Sequence, residues 1–213
     1  MRRKKRISIS ITLLLIILNF IFFLLYLMLG YFYKGFIDYV ALKPSNFFNA
    51  RNLWTIITSM FMHANPFHLF ANMFSLLFLG SFLERIIGKK RFTFLYFSSG
   101  IVAGLFFVFF SLLIKTEYNV YAVGASGAIF GVIGTIVLLT PKLKVFIFPI
   151  PFPIPMFIAS LIALFGLWII SIFAGLPIGN TAHLGGFVFG LGYGLYLRIK
   201  YKRKVELLNK YLR

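Results

Sequence analysis

The chain has no cysteine, and only four of its 213 residues are acidic: Asp38, Glu84, Glu117 and Glu206. The missing thiols exclude a disulfide framework and any thiolate chemistry, catalytic or metal-binding. Four scattered carboxylates supply no acid–base pair, proton relay or carboxylate metal site. Histidine is nearly as scarce, with only His63, His68 and His183. His63 and His68 stand five apart rather than the four of a helical zinc pair. No cofactor is expected. Charged residues make up only 12% of the chain, against 61% hydrophobic and 20% aromatic, with a mean hydropathy of +0.94. Such a chain cannot present an ordinary water-facing surface, so it reads as an all-α integral membrane protein in contact with the lipid bilayer. The net charge of +18 does not point to nucleic acid, because the basic residues fall in blocks between apolar runs instead of mixing with aromatics on one face.

A helix needs roughly 20 apolar residues to cross a hydrocarbon core of about 30 Å. Six runs qualify: 8–32, 67–87, 92–114, 123–140, 154–174 and 181–199. The block "MRRKKR" resembles the start of a signal peptide, but the apolar stretch after it is too long and lacks a small-residue cleavage site. It is read as a retained transmembrane helix. Eighteen of the 22 Lys and Arg residues fall in 2–6, the 85–91 turn, Lys142, Lys144 and the stretch from Arg198 to Arg213. The other four, Lys34, Lys43, Arg51 and Lys115, lie in the alternate loops. By the positive-inside rule both termini are cytoplasmic, and loops 33–66, 115–122 and 175–180 lie outside. This gives a basic N-terminus (1–6), a single six-helix domain (7–200) and a basic tail (201–213), in a multi-pass protein of a cell membrane. The tail is read as a segment beside anionic lipid, with a docking site for a partner as the alternative.

Loop 33–66 carries Tyr33, Phe36, Tyr39, Phe47, Phe48, Trp54 and Phe61, rings that suit the headgroup layer. The run "FIFPIPFPIPMF" sets Pro149, Pro151, Pro153 and Pro155 before the fifth span. Proline cannot continue a helix, so this run predicts an extended interfacial entry.

Polar groups inside apolar spans are costly and mark candidate sites. "VYAVGASGAIFGVIG" sets Ser126 among Gly124, Gly127, Gly131 and Gly134. Alone this has two readings: helix packing through small residues, with a serine bonded back to its own helix, or a nucleophile with room made for its partner. "HANPFHLFANMF" puts His68 and Asn72 on one face of the second span. "GNTAHLGGFVFG" puts His183 about one turn into the sixth, in a row with Gly186, Gly190 and Gly194. Spans two, four and six all enter from the same side, so Ser126, His183, His68 and Asn72 share one depth. The glycine faces of spans four and six predict a close crossing with Ser126 and His183 at its outer end.

In these motifs the chain resembles the rhomboid intramembrane serine proteases. The resemblance covers about 54–194, with HxxxN at His68 and Asn72, GxSG at Gly124–Gly127 and AHxxGxxxG from Ala182 to Gly190, in family order. It implies a rhomboid-like six-helix bundle of the basic bacterial form that cleaves transmembrane protein substrates near the outer boundary. Ser126 would be the nucleophile, His183 its base, and His68 and Asn72 would stabilise the oxyanion with the Ser126 amide. Gly124, Gly127, Phe130, Gly186 and Gly190 would pack around them. His63 would be structural, Glu84 and Arg85 would pack helices, and Phe130 stands where a tyrosine is frequent. Trp54 matches the family's loop tryptophan, but Thr55 replaces the usual arginine, which leaves that loop's bracing open. Helix five with loop 174–180 would form the gate. Two other classes remain: a catalytically silent relative that binds transmembrane segments, and a transporter or channel. The second would need charges within the spans or broken midplane helices, and spans two to six carry no charge in their cores.

Overall fold

Backbone groups in so apolar a chain must find partners within it, and helices provide them locally. The computed structural model describes residues 9–147, 149–175 and 179–212. Residues 176–178 of the expected gate loop, and the basic block 2–6, lie outside the described residues. The helices are α1 (Ile11–Phe32), α2 (Pro66–Ile87), α3 (Lys89–Phe110), α4 (Ser126–Leu139), α5 (Met156–Ala174), α6 (Asn180–Lys200) and α7 (Lys202–Tyr211). Among the described residues α1, α2, α3 and α5 are long and apolar enough to cross a membrane. α4 has only 14 residues, about 21 Å at 1.5 Å per residue. α6 is long enough, but Gly185, Gly186, Gly190, Gly192 and Gly194 dilute its hydropathy.

α4 is apolar all round, as a helix enclosed by protein must be. From Gly127 to Val137 every residue is buried, between α3 and α6. Glycines make this possible. A Cβ on Gly186 would stand 2.0 Å from the Gly127 carbonyl oxygen, and one on Gly190 would stand 2.1 Å from that of Gly131. The Thr135 hydroxyl lies 3.0 Å from the carbonyls of both Gly131 and Gly190, and can donate to either. The expected pairing of two glycine faces is thereby refined. Gly127 and Gly131 open mainly towards α3, where a Cβ would strike Ala103 and Ser99. A helix flanked on both sides needs small residues on both.

α2 contains a π-helical turn at Leu76–Gly80, which the apolar periodicity does not announce. It passes into α3 through Gly88 alone, whose φ of +82° suits glycine. Near that turn, buried Glu84 caps α1 from a distance. Its carboxylate accepts from the Ser10 hydroxyl (2.7 Å), the amides of Ile11 (2.9 Å) and Thr12 (2.8 Å), and the Thr12 hydroxyl (2.7 Å). The negative charge also meets the positive end of the helix dipole. Glu84→Gln would face a donor towards donors, and bonds to a charged acceptor contribute about 1.5–3 kcal/mol each. It is expected to lower stability by at least about 2 kcal/mol, read as a lower unfolding midpoint in detergent; an unchanged midpoint would remove the cap from the account.

The segment before α2 forms short turns at Ile37–Val40, Pro44–Phe48 and Thr55–Thr58 and rests on α3. Met60 occupies the space a Cβ on Gly100 would need, and Leu42 and Ile56 lie against Gly104. Tyr31, Tyr33, Tyr39 and Trp54 stay exposed. Trp54 donates from Nε1 to the Tyr39 carbonyl (2.9 Å), and buried Thr55 bonds the Asn52 carbonyl (2.7 Å). These two bonds brace the loop where an arginine was expected. The proline-rich run folds back on itself: β1 (Lys144–Val145) pairs antiparallel with β2 (Ile154–Pro155), a hairpin leading into α5.

Candidate active site

Ser126 is the first residue of α4, so its hydroxyl stands at a helix N-terminus whose leading amides have no partner within the helix. The approach to it is fixed from outside. Leu42 and Ala122 exchange two backbone bonds (3.1 and 2.7 Å), and the Gly124 amide donates to the Ser59 carbonyl (2.9 Å). Gly124 has φ +123°, where L side chains are strained. A Cβ there would meet His68 Nε2 and Cε1 at 2.9 Å and Ser126 Oγ at 3.6 Å. One glycine therefore shapes the turn and admits the His68 ring beside the serine.

His183 lies in the first turns of α6, 6% exposed, with Nε2 2.8 Å from Ser126 Oγ. Phe130, one turn along α4 from Ser126, stacks on the imidazole with centroids 4.7 Å apart and planes 24° apart. His183 Nδ1 is buried with no hydrogen-bond partner. The nearby carboxylate, Glu117, reaches the Thr181 hydroxyl at 3.4 Å, and burial raises its pKa. The imidazole is thus oriented by an aromatic face and the close α4–α6 crossing.

α2 supplies the third side. Asn65 caps it by accepting from the His68 amide (2.8 Å), and Pro66 follows at the first helical position, both ordinary start signals. His68 is half-buried. Asn72, one turn on, donates from Nδ2 to the His68 carbonyl (2.9 Å), while its Oδ1 is buried without a partner. A carboxamide carries two N–H donors, so one remains. His63 is 1% exposed, with its ring 5.1 Å from that of His68 at 69°. Burial, and then the neighbouring His68, push it down to about 3, so it is neutral at ordinary pH.

Four residues met in the sequence as one set, Ser126, His183, His68 and Asn72, thus stand on the N-terminal turns of three helices. Gly124 lies against His68 and Ser126, Phe130 stacks on His183, and Gly186 meets the Gly127 backbone, whereas Gly190 packs further along the α4–α6 crossing, on Gly131. Sequence reasoning missed a latch between the segments that precede α2 and α4: the Tyr121 hydroxyl donates to Asp38 (2.7 Å), which also accepts from Asn46 (3.1 Å), and the Lys43 ammonium lies over the Tyr121 ring. The Tyr121 bond is the main cause of the lowered Asp38 pKa, and burial with the Asp38 carboxylate pushes Tyr121 up to about 12. The signal available was an isolated acid in an apolar chain, which needs a partner. Asn180, at the start of α6, was also missed; it is buried with its Oδ1 unpartnered.

Comparison with known proteins places this arrangement in a family. The rhomboid domain matches residues 50–200. The chain is 35% identical over 163 residues to Rhomboid protein 1, mitochondrial, of Saccharomyces cerevisiae, covering 75% of this chain and 43% of that protein. It is 33% identical over 172 residues to Rhomboid protease AarA of Providencia stuartii, covering 73% and 60%. It is also 32% identical over 139 residues to Inactive RHOMBOID-like protein 8 of Arabidopsis thaliana, covering 64% and 36%. The matches span about two fifths to three fifths of these relatives' own lengths. With its apolar helices and a domain match covering most of its length, the chain is an integral membrane protein that belongs to the rhomboid family.

Proposed function

We propose that this protein is an intramembrane serine endopeptidase that cleaves transmembrane-segment substrates near the outer membrane boundary through a Ser126–His183 dyad. The observation that carries this reading is the 2.8 Å contact between Ser126 Oγ and His183 Nε2, within the reach a base needs to take a hydroxyl proton. Oγ attacks the scissile carbonyl as Nε2 takes its proton. The proton then passes to the leaving amine, and the same base activates the water that releases the acyl group. The negative oxygen of the tetrahedral intermediate is held by His68, the free Asn72 N–H and the Ser126 amide, donors in place before charge develops. Phe130 orients the imidazole, the task a carboxylate performs in soluble triads. No cofactor takes part.

The chain forms one domain over 7–200, with α1 to α6 crossing the bilayer and both termini, 1–6 and 201–213, in the cytoplasm of a bacterial cell. At about 21 Å, α4 is shorter than the roughly 30 Å hydrocarbon core, so Ser126 is recessed and water reaches it from outside. α5 is the gate. Its buried residues, Met156, Ala159, Ser160 and Leu164, lie in its first half, while Ile169, Ile170, Ile172 and Phe173 are exposed. The outer half buries less against the bundle than the first half, and it swings sideways to admit a substrate helix. That helix must unwind to offer a carbonyl, so small or helix-destabilising residues near the cut are favoured. A silent segment-binding relative would have no need of the Ser–His contact.

The test is purified protein in liposomes with a panel of single-span substrates, the fragments being weighed. One cut close to the outer end of the span is expected; absence of fragments across the panel would sink the reading. Asn72→Ala removes one donor to the developing charge and is expected to lower turnover by about 10²–10³ with KM nearly unchanged. Unchanged turnover would remove Asn72 from the mechanism.

A further inference from the structure

We propose that the groove between α6, α7 and the α4–α5 turn binds one anionic phospholipid. Four cations from three elements converge on it: Lys142 from the turn, Arg198 from α6, and Lys202 and Lys210 from α7. Its volume is about 620 Å³, within the roughly 300–1,000 Å³ of small-molecule sites. Glu206 is the one acidic side chain on its wall, so the lining stays strongly positive. The wall continues onto Leu195 and Ile199 of α6, 49% and 71% exposed.

The groove is fixed by the fold. Asn209 donates from Nδ2 to the Leu139 carbonyl at the end of α4 (2.7 Å) and to Val205 within α7 (2.8 Å), and Arg198 reaches the Leu138 carbonyl at 3.4 Å. These bonds hold α7 against the helix ends and keep its lysines facing Arg198. A phosphodiester headgroup matches several convergent N–H donors, and acyl chains match the exposed aliphatic wall of α6. A soluble anion would leave that wall uncovered. The groove lies at the opposite ends of α4 and α6 from Ser126 and His183, so the proposal is independent of the protease reading.

The experiment is native mass spectrometry of the full chain released from mixed phosphatidylglycerol and phosphatidylcholine. One phosphatidylglycerol retained per chain is expected, with phosphatidylcholine lost; equal retention of the two lipids would overturn the site without any variant. Release from the bilayer removes the diffuse attraction felt by every surface cation, and each groove lysine bonded directly to the headgroup is then worth at least about fivefold in affinity. The triple variant Lys142→Gln, Lys202→Gln, Lys210→Gln should therefore lose retention on the order of 100-fold. Lys144→Gln, Arg203→Gln, Lys204→Gln removes the same charge outside the groove and should lose no more than about fivefold. Equal losses would show diffuse surface attraction and no site. Glycerol 3-phosphate binding as tightly as the lipid would show a phosphate site that does not need the chains, and would overturn the lipid assignment.

Discussion

Ser126→Ala is expected to bring cleavage of a single-span substrate down to background, and His183→Ala to match it. Both variants should insert and fold as the parent does. In the proposed mechanism the first removes the attacking oxygen and the second its base, and groups that act as a unit lose nearly everything when either is removed, on the order of 10⁴-fold or more in turnover. The double variant should be no worse than either single one, because the background that remains belongs to binding and the oxyanion donors. Neither change opens a steric conflict: Ser126 is half-buried at a helix start, and His183 touches Phe130 across a flat face. The unfolding midpoint should separate loss of chemistry from loss of fold. Cleavage near the parental rate in either variant would dissolve the dyad.

Gly186→Ala is expected to lower the rate by about 10²-fold, by another route. The new methyl would sit 2.0 Å from the Gly127 carbonyl oxygen, and the obstacle is backbone, which has no rotamer to change. Overpacking against side chains costs about 1–3 kcal/mol, and a backbone-to-backbone conflict should exceed that. α6 must then move away from α4, carrying His183 off Ser126. A displacement near 1 Å costs about 10²-fold in rate. Gly192→Ala is the control, on the same helix with nothing within 4 Å of its Cβ. It should leave activity unchanged and stabilise slightly, since alanine is preferred to glycine inside helices by about 0.5–1 kcal/mol. Equal behaviour of the two variants would refute the close crossing.

The helices and their order were legible because an apolar run must match a membrane thickness, and the structure begins or ends most of them within a few residues of the runs. α3 departs most, closing at Phe110 where the run reached 114, because Ser111 to Ile114 form turns, their last three amides bonding back to Phe109 and Phe110. The glycine rows and the positions of Ser126, His183, His68 and Asn72 at helix starts followed from spacing and entry side. What escaped was pairing across long separations. Glu84 reads as a packing residue from its helix alone; that it caps α1 depends on Ser10 and Thr12, more than seventy residues earlier. The Asp38–Tyr121 latch joins two loops with no common period. Periodicity shows which face of a helix is apolar and leaves open which neighbour it meets, so Gly127 and Gly131 could not be assigned to α3 before Ser99 and Ala103 were seen against them.

The most direct test of the dyad is labelling with a fluorophosphonate, followed by mapping of the modified serine. The phosphorus is attacked only by a serine oxygen whose proton a placed base removes, so a serine that merely packs a helix stays unlabelled. Ser126 alone among the serines should carry the adduct, and His183→Ala should abolish it while the Ser126 hydroxyl remains in place. Absence of label at Ser126, or label that survives the loss of His183, would contradict the account.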